Sequence, residues 1–352
     1  MTQHLSVAFL GLSHLHPRSY VPLFQAVPGA TVVAAADSNA SVLESFTNDF
    51  PVRGYADWRD LLERERLDLA VIFLPHADCP DAAVACARRG VHVLVEKPMA
   101  ASADGVRRMI AASEQAGVIL STSYVWRYHP VALQMKKLIE QGVTGRMVGC
   151  TGRCAAGRLS RYTEAHAGWM LQKARSGGGP MFNLGVHWID LYRWLLADEV
   201  VEVIGKNVKA NSQYDIEDNS FAILTFSRGA VLALDVSYTV PESYPFGRDL
   251  YLALRGATGM LEWSPSFEGV KERLFVCSDS GEYSEPSRQN LDFDLPPQTG
   301  YAGIMGHRFL ADFVESIRSG RPPAITAYDG LKALEIVEAI YKSAESGQSI
   351  KL

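Results

Sequence analysis

Three sets of side chains in this chain have types and spacings that suit chemistry on a hydroxyl-bearing molecule. The first is Lys97, which follows Glu96 at the end of an apolar run and is held by Pro98. A lysine where a strand meets a crevice can stabilise a developing alkoxide. The X-Pro bond before residue 98 is a candidate for the cis form, which would fix the direction of that ammonium. The second set is Asn183 and His187, four residues apart and so expected on one helix face. Imidazole suits proton exchange near neutrality. The third is a loop, Gly11-Leu12-Ser13-His14-Leu15-His16, followed at residue 37 by an aspartate.

That loop reads as a partial dinucleotide fingerprint, which would place glycine at positions 11, 13 and 16. Gly11 matches. Ser13 is small enough for close backbone approach and can bond a phosphate oxygen. His16 departs from the pattern and adds bulk where the helix should press on the sheet. Asp37 ends a second apolar run, where a carboxylate can accept both hydroxyls of an adenosine ribose and repel a 2′-phosphate. The competing role for Asp37 is to cap the following helix. With Ser38 and Asn39 next and no adjacent arginine, the expected cofactor is NAD in preference to NADP. His14, Pro75, His76 and Glu96 complete the expected cofactor wall, Glu96 also serving the local fold.

The elements that must position these groups follow from periodicity. Apolar runs at 5–10, 31–36, 69–74, 91–95 and 119–123 alternate with helical stretches at 17–26, 42–49, 58–65, 80–89 and 103–116. Strand alternating with helix predicts a parallel sheet covered on both faces, with ligands outside the carboxyl ends of its strands. Beyond residue 124 the texture changes. Helices are expected at 130–141 and 180–196, the second after a Gly177-Gly178-Gly179 cluster. From 200 to 283 the pattern is β-rich, with hairpins at 221–238 and 251–263. Helices at 307–319 and 329–346 close the chain, with Asp329 as N-cap of the last. Residues 280–300 read as a surface loop.

Four stretches in order resemble the Gfo/Idh/MocA family of glucose–fructose oxidoreductase and inositol dehydrogenase type. They are 93–98 with its Glu-Lys-Pro end, Trp126-Arg127-Tyr128-His129-Pro130, the 176–190 stretch from Ser176 through Asn183 and His187 to Asp190, and the closing 329–341 stretch. The resemblance implies an α/β chain with a Rossmann domain over 1–124. A second α/β domain over 125–352 would carry a large, mainly antiparallel sheet with one open face, and the last helices would fold back towards the first domain. It implies NAD-dependent oxidation or reduction of a CH–OH group on a sugar or cyclitol held between the domains, with Lys97 and His187 handling the proton. The family more often has aspartate where this chain has Asn183. Asparagine cannot exchange a proton near neutrality, so Asn183 is expected to orient substrate. Tyr124, Arg127, Trp169 and Arg193 are candidate pocket residues, plain packing or ion pairing being equally open. Asp190 either pins a His187 ring nitrogen or bonds backbone. Two alternatives keep the fold: an NAD-dependent glycoside-cleaving enzyme, and a sugar- or NAD-sensing protein without turnover.

Composition narrows the field. The 352 residues suit two domains. A net charge of -5 without a long basic run argues against nucleic acid. No apolar stretch reaches membrane-spanning length, and the start at Met1-Thr2-Gln3-His4-Leu5 does not read as a leader, so a cytoplasmic location is expected. Five cysteines, an odd number, read as buried free thiols with no metal site, including Cys150 and Cys154. The open sheet needs cover, and the family association implies a homodimer or homotetramer formed through it.

Overall fold

The computed structural model describes residues 4–157, 159–211, 213–241, 243–244, 247–266 and 270–352. Met1–Gln3, part of the stretch read for a leader, lie outside them. The N-terminal elements are β1 (Leu5–Leu10), α1 (Pro17–Ala26), β2 (Ala30–Ala36), α2 (Ala40–Asp49), β3 (Arg53–Tyr55), α3 (Trp58–Arg64), β4 (Leu69–Ile72), α4 (Cys79–Arg88), β5 (His92–Val95), α5 (Ala103–Ala116) and β6 (Leu120–Thr122). The six strands are parallel in the order β3-β2-β1-β4-β5-β6. Strand order reverses between β1 and β4, which makes their carboxyl ends the ligand crevice of a doubly wound sheet. Continuous apolar runs form the central strands because helices cover both faces, and β4 is buried throughout. Phe9, on β1, meets Phe73 edge-on at 5.3 Å and anchors the core directly beneath the crevice.

Downstream lie α6 (Pro130–Glu140), β7 (Met147–Ala156), α7 (Ser160–Glu164), α8 (Lys173–Ser176), α9 (Val186–Leu196), β8 (Val200–Val208), β9 (Asn219–Phe226), β10 (Val231–Ser237), β11 (Arg248–Gly256), β12 (Gly259–Trp263), β13 (Lys271–Ser278), β14 (Arg288–Asp294), α10 (Gly303–Ser319), α11 (Ala327–Ser346) and β15 (Ile350–Lys351). Nine of these strands form one sheet, β14-β13-β12-β11-β7-β10-β9-β8-β15, antiparallel except where β10 runs parallel to β7. Helix α9 lies on this sheet. At Gly152 of β7 a Cβ would stand 2.7 Å from the Trp188 ring, so glycine there lets the indole rest on the backbone. Trp188 then donates to the Tyr251 carbonyl, and the Tyr192 hydroxyl to that of Thr151.

The chain forms two compact units. One holds Met1–Tyr124, Ser160–Gly178 and Gln298–Leu334, the other Val125–Leu159, Gly179–Pro297 and Glu335–Leu352. Three local expectations are corrected. Residues 280–300 are not simply a loop: β14 pairs along β13, with Leu291 and Phe293 alternating on a strand whose other residues are polar. Asp329 is not the N-cap of α11. Its carboxylate accepts from the Thr326 backbone N–H at 2.8 Å, while Thr326 Oγ1 accepts from the Asp329 N–H, so the two form a capping box with Thr326 in the cap role. The helix expected over 180–196 opens as a π turn, Met181–Gly185, before α9. The five cysteines are free thiols, four of them buried. No helix among the described residues is long and apolar enough to cross a membrane.

Candidate active site

Gly11 ends β1 with φ +89°, and a Cβ there would sit 2.9 Å from the Leu74 amide nitrogen, so only glycine fits this crossing of strand ends. The loop after it is braced by Asp37. One carboxylate oxygen accepts from the Leu12 and Ser13 N–H groups at 2.6 and 2.7 Å. The other accepts from the Ser13 hydroxyl at 3.1 Å and the Asn39 N–H at 2.7 Å. The helix-capping role belongs instead to Asn39, whose side chain accepts from the Val42 N–H. Asp37 remains on the wall of a cavity of about 640 Å³ together with Gly11, Ser13, Ser38 and Pro75. Arg59 reaches the same cavity, its guanidinium 4.2 Å from the centre of the Trp58 ring. Sequence reading looked for arginine next to Asp37 and missed this one, which arrives from the start of α3.

Trp169, expected with the substrate, lines this cavity too. It belongs to the 160–178 segment, which packs on the strand ends. The indole donates to the Ser13 carbonyl at 2.8 Å, the Ala77 N–H donates to the Arg175 carbonyl at 3.0 Å, and Arg175 pairs with Asp78 at 2.8 Å. His76 Nδ1 donates to the Ser176 carbonyl at 2.7 Å, which leaves Nε2 as the bare ring nitrogen. That atom is buried and has no hydrogen-bond partner among the described residues, and the ring meets Trp169 edge-on at 4.8 Å.

Next to this wall is a buried cluster of ionisable groups. Lys97 is 5% exposed, His14 6% and Glu96 3%, a degree of burial that lysine and glutamate rarely reach without partners. The Lys97–Pro98 peptide is cis. Burial lowers the His76 pKa to about 4, with Lys97 acting in the same direction, so this imidazole is neutral near pH 7. Burial and the neighbouring His16 hold His14 well below its ordinary value. Burial alone would push Glu96 up. The groups around it, His16 first and then Lys97 and His14, bring it down to about 2.

The other unit carries Asn183 and His187. Asn183 is 7% exposed and its amide donates to the Tyr238 hydroxyl at 3.0 Å; His187 is 8% exposed. The helix that carries them opens as a π turn, which ends at Gly185 between the two residues. Gly179 precedes the turn. A side chain there would collide with the Glu217 carbonyl, and its N–H donates to Glu217 Oε1 and to the Tyr341 hydroxyl, each at 3.0 Å. Tyr341 in turn meets Phe182 of the π turn edge-on at 5.2 Å. Tyr238 and Glu217 carried no motif that sequence reading could use, whereas Tyr341 ends the 329–341 stretch that resembles the family. Arg127 is buried in a two-pronged pair with Asp190, at 2.8 and 2.5 Å. Arg193 pairs with Glu199 in the same fashion. Tyr124 is buried directly after β6.

Comparison with known proteins agrees with this architecture. Residues 5–124 match the model of the oxidoreductase family's NAD-binding Rossmann fold in the Gfo/Idh/MocA group, and residues 136–352 match its C-terminal alpha/beta domain. D-apiose dehydrogenase of Paraburkholderia graminis is 25% identical over 99% of this chain and 88% of its own length. The scyllo-inositol 2-dehydrogenase (NAD(+)) of Bacillus subtilis is 24% identical over 100% of this chain and 97% of its own. Levoglucosan dehydrogenase, solved with NADH and levoglucosan, superposes with a TM-score of 0.85 at 19% identity over 99% of both chains.

Proposed function

Because the chain belongs to the Gfo/Idh/MocA oxidoreductase family, we propose that it is an NAD-dependent dehydrogenase acting on a CH–OH group of a sugar, sugar derivative or cyclitol. Residues 1–124 serve as the nucleotide-binding domain and 125–352 as the substrate and oligomerisation domain. The observation that carries this reading is Lys97. Its ammonium is buried at the carboxyl end of β5, in the unit whose strand ends enclose a cavity with Asp37 on the wall. A buried lysine beside such a cavity, among groups with perturbed pKa values, is a functional-site candidate.

The residues present fit a nicotinamide dinucleotide. Asp37 is placed for the adenosine ribose, where a hydroxyl can take the position now held by the Ser13 hydroxyl, the longest of its four bonds. Its charge disfavours a 2′-phosphate, and Arg59 in the same cavity works against that selectivity, so NADP remains a weaker second cofactor. His76 Nε2 is a ready acceptor for an amide N–H. When bound, the cofactor accepts or donates the hydride at its nicotinamide ring.

The protein's share is binding and proton handling. Lys97 bonds the substrate hydroxyl and stabilises the charge that grows on its oxygen. His187 takes the hydroxyl proton in oxidation and returns it in reduction. Asn183, held by Tyr238, orients the substrate and exchanges no proton. The nine-stranded sheet also supports a homodimer or homotetramer. Ile204, Phe221 and Ile223, at 54%, 41% and 42% exposure, form an apolar face on β8 and β9 that water covers poorly.

The test is a panel of aldoses, sugar acids and inositols, supplied with NAD or NADP, with formation of reduced nicotinamide as the readout. At least one member deuterated at its CH–OH carbon should pass its label to NAD, faster than to NADP. Binding of cofactor and polyol without reduction across the panel would favour a sensor. Product release without net reduced cofactor would favour glycoside cleavage.

A further inference from the structure

His16 occupies the third glycine position of the fingerprint, and the proposed function leaves it unexplained. It stands at the N-cap position of α1 without capping the helix through its side chain. Its Nδ1 instead donates to Glu96 Oε1 at 2.9 Å, across 80 residues of sequence. The ring lies 4.3 Å from that of Tyr301, which stacks on Tyr20 at 4.9 Å. The His16 N–H donates to His14 Nδ1, so the two imidazoles are fixed relative to one another, 4.7 Å apart. The groups facing Glu96 include His16 and His14 from the loop, Lys97 from its own strand end and the Tyr20 phenol from α1, with His76 and the Cys79 thiol of α4 beyond.

We propose that His16 is a positioning residue for Lys97, taking up the Glu96 carboxylate from the α1 side so that the neighbouring ammonium does not have to compensate that charge alone. A buried carboxylate must find positive partners. Among the described residues, His16 reaches Glu96 within hydrogen-bond distance from another element, and it acts on that carboxylate more strongly than Lys97 does. Without it, Glu96 draws on Lys97, and an ammonium held in a tight pair stabilises a substrate oxyanion less well. Bulk where the fingerprint has glycine is then a substitution with a task. This inference rests on the role given to Lys97 above.

Two variants of the full chain test it. His16→Gly restores the fingerprint glycine and removes the partner of Glu96; His16→Gln keeps a side-chain N–H there. His16→Gly should bind NAD within about 3-fold of the parent, lose about 10-fold or more in kcat with little change in KM, and move the ascending limb of its pH profile upward by about half a unit. In cofactor-free protein, carbon NMR should show the Glu96 carboxyl titrating higher in His16→Gly than in the parent. His16→Gln should recover most of the loss. A His16→Gly enzyme with parental kcat and pH profile would overturn the inference; if that variant does not fold, a His16→Gln enzyme as impaired as one lacking Lys97 would do so. Lys97→Ala, run alongside, separates the two readings. If Lys97→Ala turns over normally, the functional assignment itself fails. If it is impaired while His16→Gly is normal, only the role of His16 fails.

Discussion

The two regions that carry the proposed chemistry are held in place by different forces. At the end of β5, Lys97 sits among ionisable groups: Glu96, His16, His14 and His76 are all buried or nearly so, and the two charged ones are set by pairing. Around Asn183 the neighbours are packing surfaces: a π turn, a glycine pressed against the Glu217 carbonyl, and the ring contact of Phe182 with Tyr341. The stability of the first region should therefore respond to pH and to changes of charge, and the placement of Asn183 to changes of volume. A packed helix offers a fixed direction for a donor such as Asn183, and a charge cluster lets the strength of Lys97 be adjusted by residues that never touch substrate.

The largest effect that would break this contrast concerns His76. Its pKa is lowered to about 4 in the folded protein, against an ordinary value of 6.5. The unfolded chain therefore binds the proton first, and stability falls as pH drops from 6.5 towards 4, with no further loss from this group below. The loss should be on the order of 3 kcal/mol. His14 acts in the same direction, so the difference between variants is the quantity to measure. Urea unfolding of the parent and of His76→Asn at pH 7 and at pH 4.5 should show a distinctly smaller pH loss in the variant. Equal losses would mean that His76 does not titrate as a buried neutral imidazole. Glu96, held at about 2, contributes stability that is lost only lower, as pH falls from about 4.5 through 2.

A smaller effect sharpens the other half. Gly179→Ala places a methyl group against a backbone carbonyl that cannot swing away. It should cost about 1–3 kcal/mol by thermal or chemical unfolding, and lower turnover without moving the pH profile. A shifted profile would show that charge as well as packing sets the Asn183 region.

Much of this was legible in the residues. Helices α1 and α5 and strand β1 end where periodicity puts them, because Pro17 opens one helix, Gly117 closes another and Gly11 stops the strand. Asp37 and Lys97 were singled out by their position at strand ends, and His187 by its spacing from Asn183 and by the family resemblance. Strand β3 has only three residues, too few for a period to show. Strand β7, at the centre of the large sheet, carries Gly149, Gly152, Cys150 and Cys154 and lacks the β-branched alternation that marks a strand. The π turn could not be foreseen, since it depends on how Gly185 lets Met181 close against it. Arg59 enters the Asp37 cavity from another element, and the pairing of His16 with Glu96 spans 80 residues, so neither leaves a local mark.

The central claim is that Lys97 serves the reaction. Its most direct test is turnover of Lys97→Ala at saturating NAD with the best substrate of the panel, set against NAD affinity measured by titration calorimetry. The account predicts a fall in kcat of about 10²-fold or more, with NAD bound within about 3-fold of the parent. A Lys97→Ala enzyme that turns over like its parent would contradict it.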